Sequence, residues 1–169
     1  MAKIKLSPEE REKVERGEVL TRLLHDQGVE AIGIVDAAPA KVYRVVTDYD
    51  HYREFIPSVV DAKVLEWDSK EVCILLEKIK IAFKTVEVTL RITHDRARHS
   101  TSWTKHGGSF ARNDGSWRCE PHGKGKTLVT YTVDVEAGLI PQFVVNAVTR
   151  GNLPDLFEAV RKRVNSNGA

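Results

Sequence analysis

Few residues of this sequence have the type and spacing that metal binding or nucleophilic catalysis requires. Six histidines are scattered along the chain, at His25, His51, His94, His99, His106 and His122. None of them belongs to an HExxH motif or to an i,i+4 pair on a helix. The chain also lacks a GxSxG nucleophile turn, a P-loop and a dinucleotide-binding glycine fingerprint. We therefore expect no metal, no cofactor and no catalytic residue of these classes.

One carboxylate could serve as an acid. Glu77 alternates in step with Cys73, Leu75 and Ile79, so it could point inward, where burial would raise its pKa. The pattern places no second carboxylate beside it. We therefore expect Glu77 to be an edge or surface residue, and we assign no catalytic residue.

Three aromatic residues could hold a hydrophobic molecule. Trp103, Trp117 and Tyr131 fall on one face of their predicted strands by alternation, and the Tyr131 hydroxyl could orient a ligand. Ordinary core packing explains all three equally well. The stretch from Gly107 to Phe110 predicts a loop with an exposed aromatic, which could gate a cavity or touch a membrane. A simple hairpin loop is the alternative.

These side chains must be positioned by strands and by one long helix. From Ile140 to Val164 apolar residues recur with the three-and-four spacing of one helical face, and Pro154 predicts a kink. Two short helices are predicted at 39–48 and 51–56. The sequence predicts strands at 18–25, 29–36, 59–67, 71–81, 83–94, 99–106, 115–121 and 127–137. For 18–25 a short helix is the alternative. Short turns between the strands indicate antiparallel neighbours, and a sheet curved around one helix leaves a hollow between the two.

The composition is that of one ordinary domain. The chain has 169 residues, of which 30% are charged, and a net charge of +2, which does not indicate nucleic-acid binding. Ser7-Pro8-Glu9-Glu10 predicts a capped helix, so we expect residues 1–17 to form an appendage, 18–166 a single domain and 167–169 a disordered tail. The start has no apolar leader, and we expect a cytoplasmic protein.

Three stretches of the sequence resemble a known family. They are VDAAPAKVYRVVTDYDHYREFIPSV at Val35–Val59, GSWRCEP at Gly115–Pro121 and TLVTYTVDVEAGLIPQFVVNAV at Thr127–Val148. The chain resembles the START-like (SRPBCC) helix-grip superfamily, in the branch of polyketide cyclase/dehydrase and ubiquinone-binding Coq10-like proteins. The resemblance implies an α+β fold in which a seven-stranded curved antiparallel sheet wraps around a long C-terminal helix. It also implies two short helices after the first core strand.

The resemblance further implies a hydrophobic cavity between sheet and helix. Members carry lipids, quinones or polyketides, and some are enzymes, so the fold alone does not settle the function. We predict binding or transport of a hydrophobic small molecule, namely a lipid, an isoprenoid quinone or a polyketide-like compound. The first alternative is an enzyme of the polyketide aromatase/cyclase type, which would be a cyclase or dehydratase. The second is a protein-interaction module with a vestigial cavity.

The prediction of a hydrophobic ligand determines which binding partners and cavity residues we expect. Besides the hydrophobic ligand we expect a transient membrane-surface contact and no nucleic acid, and the oligomeric state stays open. The residues predicted to line the ligand cavity are Phe55, Val88, Leu90, Trp103, Trp117, Tyr131, Val133, Phe143, Val144, Ala147 and Val148.

Overall fold

A computed structural model describes residues 4–24, 28–136 and 142–166, with the backbone alone described at 142–151. The predicted tail at 167–169 lies outside the described residues. The helices are α1 (Pro8–Glu15), α2 (Pro39–Val46), α3 (Tyr52–Phe55) and α4 (Gln142–Asn165), with a 3₁₀ turn at Tyr49–His51. The strands are β1 (Leu20–Leu23), β2 (Gly28–Val35), β3 (Val59–Trp67), β4 (Val72–Ile81), β5 (Lys84–Asp95), β6 (Ser100–Gly108), β7 (Arg112–Pro121) and β8 (Thr127–Glu136).

The strands form one antiparallel sheet in the order β1-β2-β8-β7-β6-β5-β4-β3. The α+β class, the curved sheet and the long C-terminal helix are confirmed, and so are the short helices after the first core strand. The strand count of seven was wrong, because the sheet has eight strands. The extra strand is β1, which extends the sheet at one edge by pairing Leu20 with Ile32 and Leu23 with Val29.

The core lies between the inner face of the sheet and α4. On β5 the alternate residues Val86, Val88, Leu90 and Ile92 are all buried, as the period-two geometry of a strand with one face in the core requires. The described part of α4 buries an apolar stripe formed by Leu153, Leu156, Phe157, Val160 and Val164. The helix continues through Pro154, and the kink predicted there stays a prediction.

The N-terminal helix begins with the predicted capping box. The Ser7 hydroxyl accepts a hydrogen bond from the Glu10 amide at 3.1 Å, and the Glu10 carboxylate accepts one from the Ser7 amide at 2.9 Å. Val14 is buried, and Arg22 on β1 lies between Glu10 and Glu30 at 3.4 and 2.7 Å. These contacts attach α1 to the first two strands. No helix in the described part of the chain has the length and apolar character needed to cross a membrane.

Candidate functional site

A cavity of about 180 Å³ lies between the inner face of the sheet and the helices. Strands β3 to β8 form its walls, and one side is closed by Leu153 and Leu156 of α4. Tyr49 and Tyr52 contribute from the 3₁₀ turn and α3, and residues 56–59 form part of the rim. The walls are mostly apolar because the alternating strands turn their Val, Ile and Leu side chains toward α4.

The structure brings five of the predicted cavity residues together. Leu90, Trp103, Trp117, Tyr131 and Val133 all line the cavity. That they contact a ligand stays a prediction.

Two predicted cavity residues lie elsewhere, in the core. Val88 is fully buried among core side chains and forms no part of the cavity wall. Phe55 is half-buried against the core and lies 4.9 Å from the Arg163 guanidinium, measured to its ring centroid. The helix positions Phe143, Val144, Ala147 and Val148 have side chains outside the described residues.

The aromatic residues form one packed wall. The Tyr131 ring centroid lies 4.6 Å from that of Trp117 and 5.9 Å from that of Trp103. The Trp103 indole donates a hydrogen bond to the Asn113 side-chain oxygen at 3.1 Å. A Cβ at Gly115 would lie 2.2 Å from the Trp103 ring. The ring therefore packs directly against the backbone at Gly115, where a larger residue would clash with it. These contacts fix the Trp103 ring against the sheet.

Glu77 lies inside the cavity, and the expectation that it is an edge or surface residue was wrong. Its side chain is 9% exposed and lines the cavity, because β4 is an interior strand and Glu77 shares the inner face with Leu75 and Ile79. Within the described part of the chain no hydrogen bond or ion pair reaches its carboxyl group. Burial raises the pKa of Glu77 to about 7.

Two other polar groups near the cavity already have partners. The Nδ1 atom of His94 lies 2.8 Å from the Glu71 carbonyl oxygen, so Nδ1 carries the proton. The Nε2 atom then accepts a hydrogen bond from the Tyr49 hydroxyl at 2.7 Å. Burial lowers the pKa of His94, which keeps the imidazole neutral. The Tyr52 hydroxyl donates to the Val46 carbonyl oxygen. Both tyrosines therefore hold the short helices in place.

The Tyr131 hydroxyl, in contrast, has no hydrogen-bond partner among the described residues. Tyr131 and Glu77 both line the cavity. The Glu77 carboxyl group is near enough to raise the pKa of Tyr131, although burial is the larger cause. The Thr101 hydroxyl, which is buried and also lacks a described hydrogen-bond partner, lines the same cavity. Three polar residues without a described side-chain partner therefore line one mostly apolar space.

Phe110 is buried, so the expected exposed aromatic in the loop after residue 107 was wrong. Its side chain is 3% exposed and lines the cavity. Backbone hydrogen bonds from Ser109 to Glu87 and from Ala111 to Glu136 hold this loop against the sheet. Phe83, at the turn between β4 and β5, is instead 88% exposed. Sequence alternation ends at both turns, so it does not indicate which aromatic turns inward.

Comparison with protein families gives a match over most of the chain. The family model described as polyketide cyclase / dehydrase and lipid transport matches residues 35–161. This range includes α2, the 3₁₀ turn, α3, strands β3 to β8 and most of α4. No protein of curated function matches the sequence.

Solved structures share the fold at low sequence identity. The ZhuI aromatase/cyclase from Streptomyces sp. R1128 has a TM-score of 0.75 and 19% identity, over 86% of this chain and 97% of that one. A START superfamily protein from Mycobacterium smegmatis has a TM-score of 0.71 and 20% identity, over 82% and 97% of the two chains. A STAR-related lipid transfer protein from Xanthomonas axonopodis has a TM-score of 0.71 and 16% identity, over 88% and 93%.

Proposed function

The chain belongs to the polyketide cyclase / dehydrase and lipid transport family, and from this membership we propose that it binds a hydrophobic small molecule in the cavity between the sheet and α4. The observation that carries the proposal is the mostly apolar cavity of about 180 Å³. An unfilled cavity in a protein core reduces stability. The presence of this cavity therefore favours a role in binding a ligand that fills it. Apolar ligand surface that leaves water contributes about 25 cal/mol per Å².

The volume of the cavity limits the size of ligand that fits without a change in the walls. Pockets for drug-sized ligands usually measure about 300–1,000 Å³, and this cavity encloses about 180 Å³. A compound of two or three aromatic rings is of the right order. A lipid, an isoprenoid quinone or a longer polyketide-like compound requires the walls to separate, and the rim at residues 56–59 is where that separation would begin.

A cavity-filling variant tests the proposal. Val133 lines the cavity on β8, and Val133→Phe would occupy part of the free space. We expect it to abolish binding of the uncharged fluorescent probe N-phenyl-1-naphthylamine while keeping the thermal unfolding temperature within a few degrees. Thr93→Phe, at an exposed position of β5, is the control and should bind like the wild type. Equal binding by all three proteins would place the probe elsewhere and contradict the proposal.

An enzyme of the cyclase or dehydratase type is the second candidate, and Glu77 is the observation that favours it. A carboxyl group with a pKa of about 7 can both give and take a proton near neutral pH. Tyr131 supplies a second polar group in the same cavity. If this candidate is right, the protein will convert a poly-β-keto substrate and Glu77→Gln will abolish turnover. A carrier will bind the same compound and return it unchanged.

Delivery of the ligand would use the turn that carries Phe83, because this turn lies beside the cavity rim. The Lys80 amide donates to the Ser58 carbonyl oxygen at 2.8 Å, and both Ser58 and the adjacent Ile81 line the cavity. Lys80 and Lys84 are exposed on either side of Phe83. An exposed aromatic between two cations suits a membrane surface with anionic lipids.

Vesicle binding tests the delivery step. We expect the wild type to sediment with phosphatidylcholine vesicles containing phosphatidylglycerol, and less with phosphatidylcholine alone. Phe83→Ser should weaken that binding about tenfold or more, because the lost aromatic surface contributes about 1.5–3 kcal/mol. Trp67→Ser is the control, since Trp67 is another exposed aromatic, at 48%, but lies at the opposite end of the strands. Unchanged binding by Phe83→Ser would rule out this turn as the contact.

A further inference from the structure

Besides the buried Thr101 hydroxyl, which lines the cavity without a hydrogen-bond partner, the cavity contains two titratable groups that the described part of the fold does not use. Glu77 is 91% buried and lines the cavity, and no described residue bonds to its carboxyl group. The hydroxyl of Tyr131 faces the same space without a partner. A buried polar group without a hydrogen bond reduces stability. A ligand that supplies the missing partner would therefore bind more tightly than an apolar ligand of the same shape.

The surroundings of Glu77 indicate which partner is missing. The residues paired with it across the sheet, Ala62 on β3 and Val88 on β5, are apolar. The titratable groups whose pKa the Glu77 charge raises are Tyr49, Tyr52 and Tyr131. Desolvation is the cause of the raised pKa of Glu77, and no Lys, Arg or His in the described part of the chain opposes it.

Without a cation beside it, a buried carboxyl group is more stable in the protonated form. A protonated carboxyl group donates a hydrogen bond through its O–H, and so does a phenol. Apolar sites can keep a carboxylic acid neutral so that it donates in this way.

We propose that the cavity selects ligands with a carbonyl oxygen. This oxygen accepts a hydrogen bond from the protonated carboxyl group of Glu77, and the Tyr131 hydroxyl is the second donor to the bound compound. This inference rests on the proposed function, because it names the polar group of the ligand in the same cavity. It applies to a carrier and to an enzyme alike. A ketone or quinone on a hydrophobic ring system meets the requirement, whereas a hydrocarbon leaves both donors unpaired.

Three ring compounds of one carbon skeleton test the proposal by isothermal titration calorimetry on the full chain. They are 1-tetralone with a ketone, tetralin without oxygen, and 1-aminotetralin with a cationic amine. At about pH 5 we expect 1-tetralone to bind about tenfold more tightly than tetralin, the effect of one well-formed hydrogen bond. This preference should fall as the pH rises through about 7, because the ionised carboxylate can no longer donate.

Variants separate the two donors. Glu77→Gln should retain the preference for the ketone through its amide N–H and lose the pH dependence, whereas Glu77→Leu should lose most of the preference. Tyr131→Phe should weaken ketone binding severalfold and leave tetralin binding unchanged. Glu87→Gln, an exposed position on the neighbouring strand, is the control and should match the wild type.

The outcomes distinguish this inference from the proposed function. If 1-tetralone and tetralin bind the wild type equally, or Glu77→Leu keeps the preference, the carbonyl inference is wrong although the cavity still binds an apolar ligand. Tighter binding of 1-aminotetralin than of 1-tetralone at about pH 5, where the proposal requires a protonated Glu77, would also overturn it, in favour of an ion pair with ionised Glu77. If none of the three compounds binds, the proposed function fails, and this inference fails with it.

Discussion

Replacing Glu77 by Gln should change how the stability of the protein depends on pH. In the folded protein burial raises the pKa of Glu77 from 4.5 to about 7. Below pH 4.5 the carboxyl group is protonated in the folded and unfolded states alike, so it carries no penalty. Between pH 4.5 and 7 the unfolded state ionises while the folded state keeps its proton. The free energy of unfolding of the wild type therefore decreases across this range.

The size of the effect follows from the same two pKa values. One pKa unit corresponds to about 1.36 kcal/mol, so the rise from 4.5 to about 7 makes the wild type about 3 kcal/mol less stable above pH 7 than below pH 4.5. Glu77→Gln cannot ionise and lacks this decrease. For a chain of this length the difference corresponds to about 10 °C in unfolding temperature.

Urea denaturation at about pH 5 and about pH 9 measures the effect. The relevant quantity is how much the difference in free energy of unfolding between Glu77→Gln and the wild type changes between the two pH values. The buried amide itself alters stability by the same amount at every pH, so it does not contribute to this change. Glu87→Gln, at an exposed position, is the control and should follow the wild type at both pH values. If the stability of Glu77→Gln parallels that of the wild type across the range, Glu77 is not buried in an apolar cavity and the reasoning fails.

Three further predictions concern the rest of the fold. Gly115→Ala should reduce stability by about 1–3 kcal/mol, because its Cβ would lie 2.2 Å from the Trp103 ring and 2.5 Å from the Thr132 carbonyl oxygen; an unchanged urea midpoint would contradict this close packing. Ser7→Ala should cost about 1 kcal/mol in the same assay by removing the capping hydrogen bond, and no loss would mean that α1 contributes little. The thiol of Cys119 should react with Ellman's reagent only after unfolding, since the side chain is 1% exposed and burial raises its pKa to about 12. Fast labelling of both cysteines in the native protein would contradict this.

Much of the fold could be predicted because strands such as β5 alternate between buried and exposed residues. On β5 and β8 the inner and outer residues alternate without interruption, so the burial of Val88 and Val133 follows from parity. The count of seven strands came from the family resemblance alone. The strand predicted at 18–25 corresponds to β1 (Leu20–Leu23), so the residues themselves indicate the eighth strand.

The candidate site was harder to predict, because parity gives the face of a residue but not its depth. It placed Glu77 correctly on the inner face, yet a carboxylate without a partner suggested an edge position. Only the packing of β4 between two strands makes Glu77 buried. Phe110 and Phe83 differ for a similar reason: long-range backbone hydrogen bonds hold one loop against the sheet, while the other turn extends into solvent.

Native mass spectrometry of the purified protein, followed by denaturing extraction, tests the central claim most directly. We expect a hydrophobic compound bound at close to one molecule per chain, with a carbonyl group identified by tandem mass spectrometry of the extract. Val133→Phe, purified in the same way, should carry much less of it. A wild-type protein that is empty after expression and also binds none of N-phenyl-1-naphthylamine, 1-tetralone and tetralin would contradict the claim that the cavity is a ligand site.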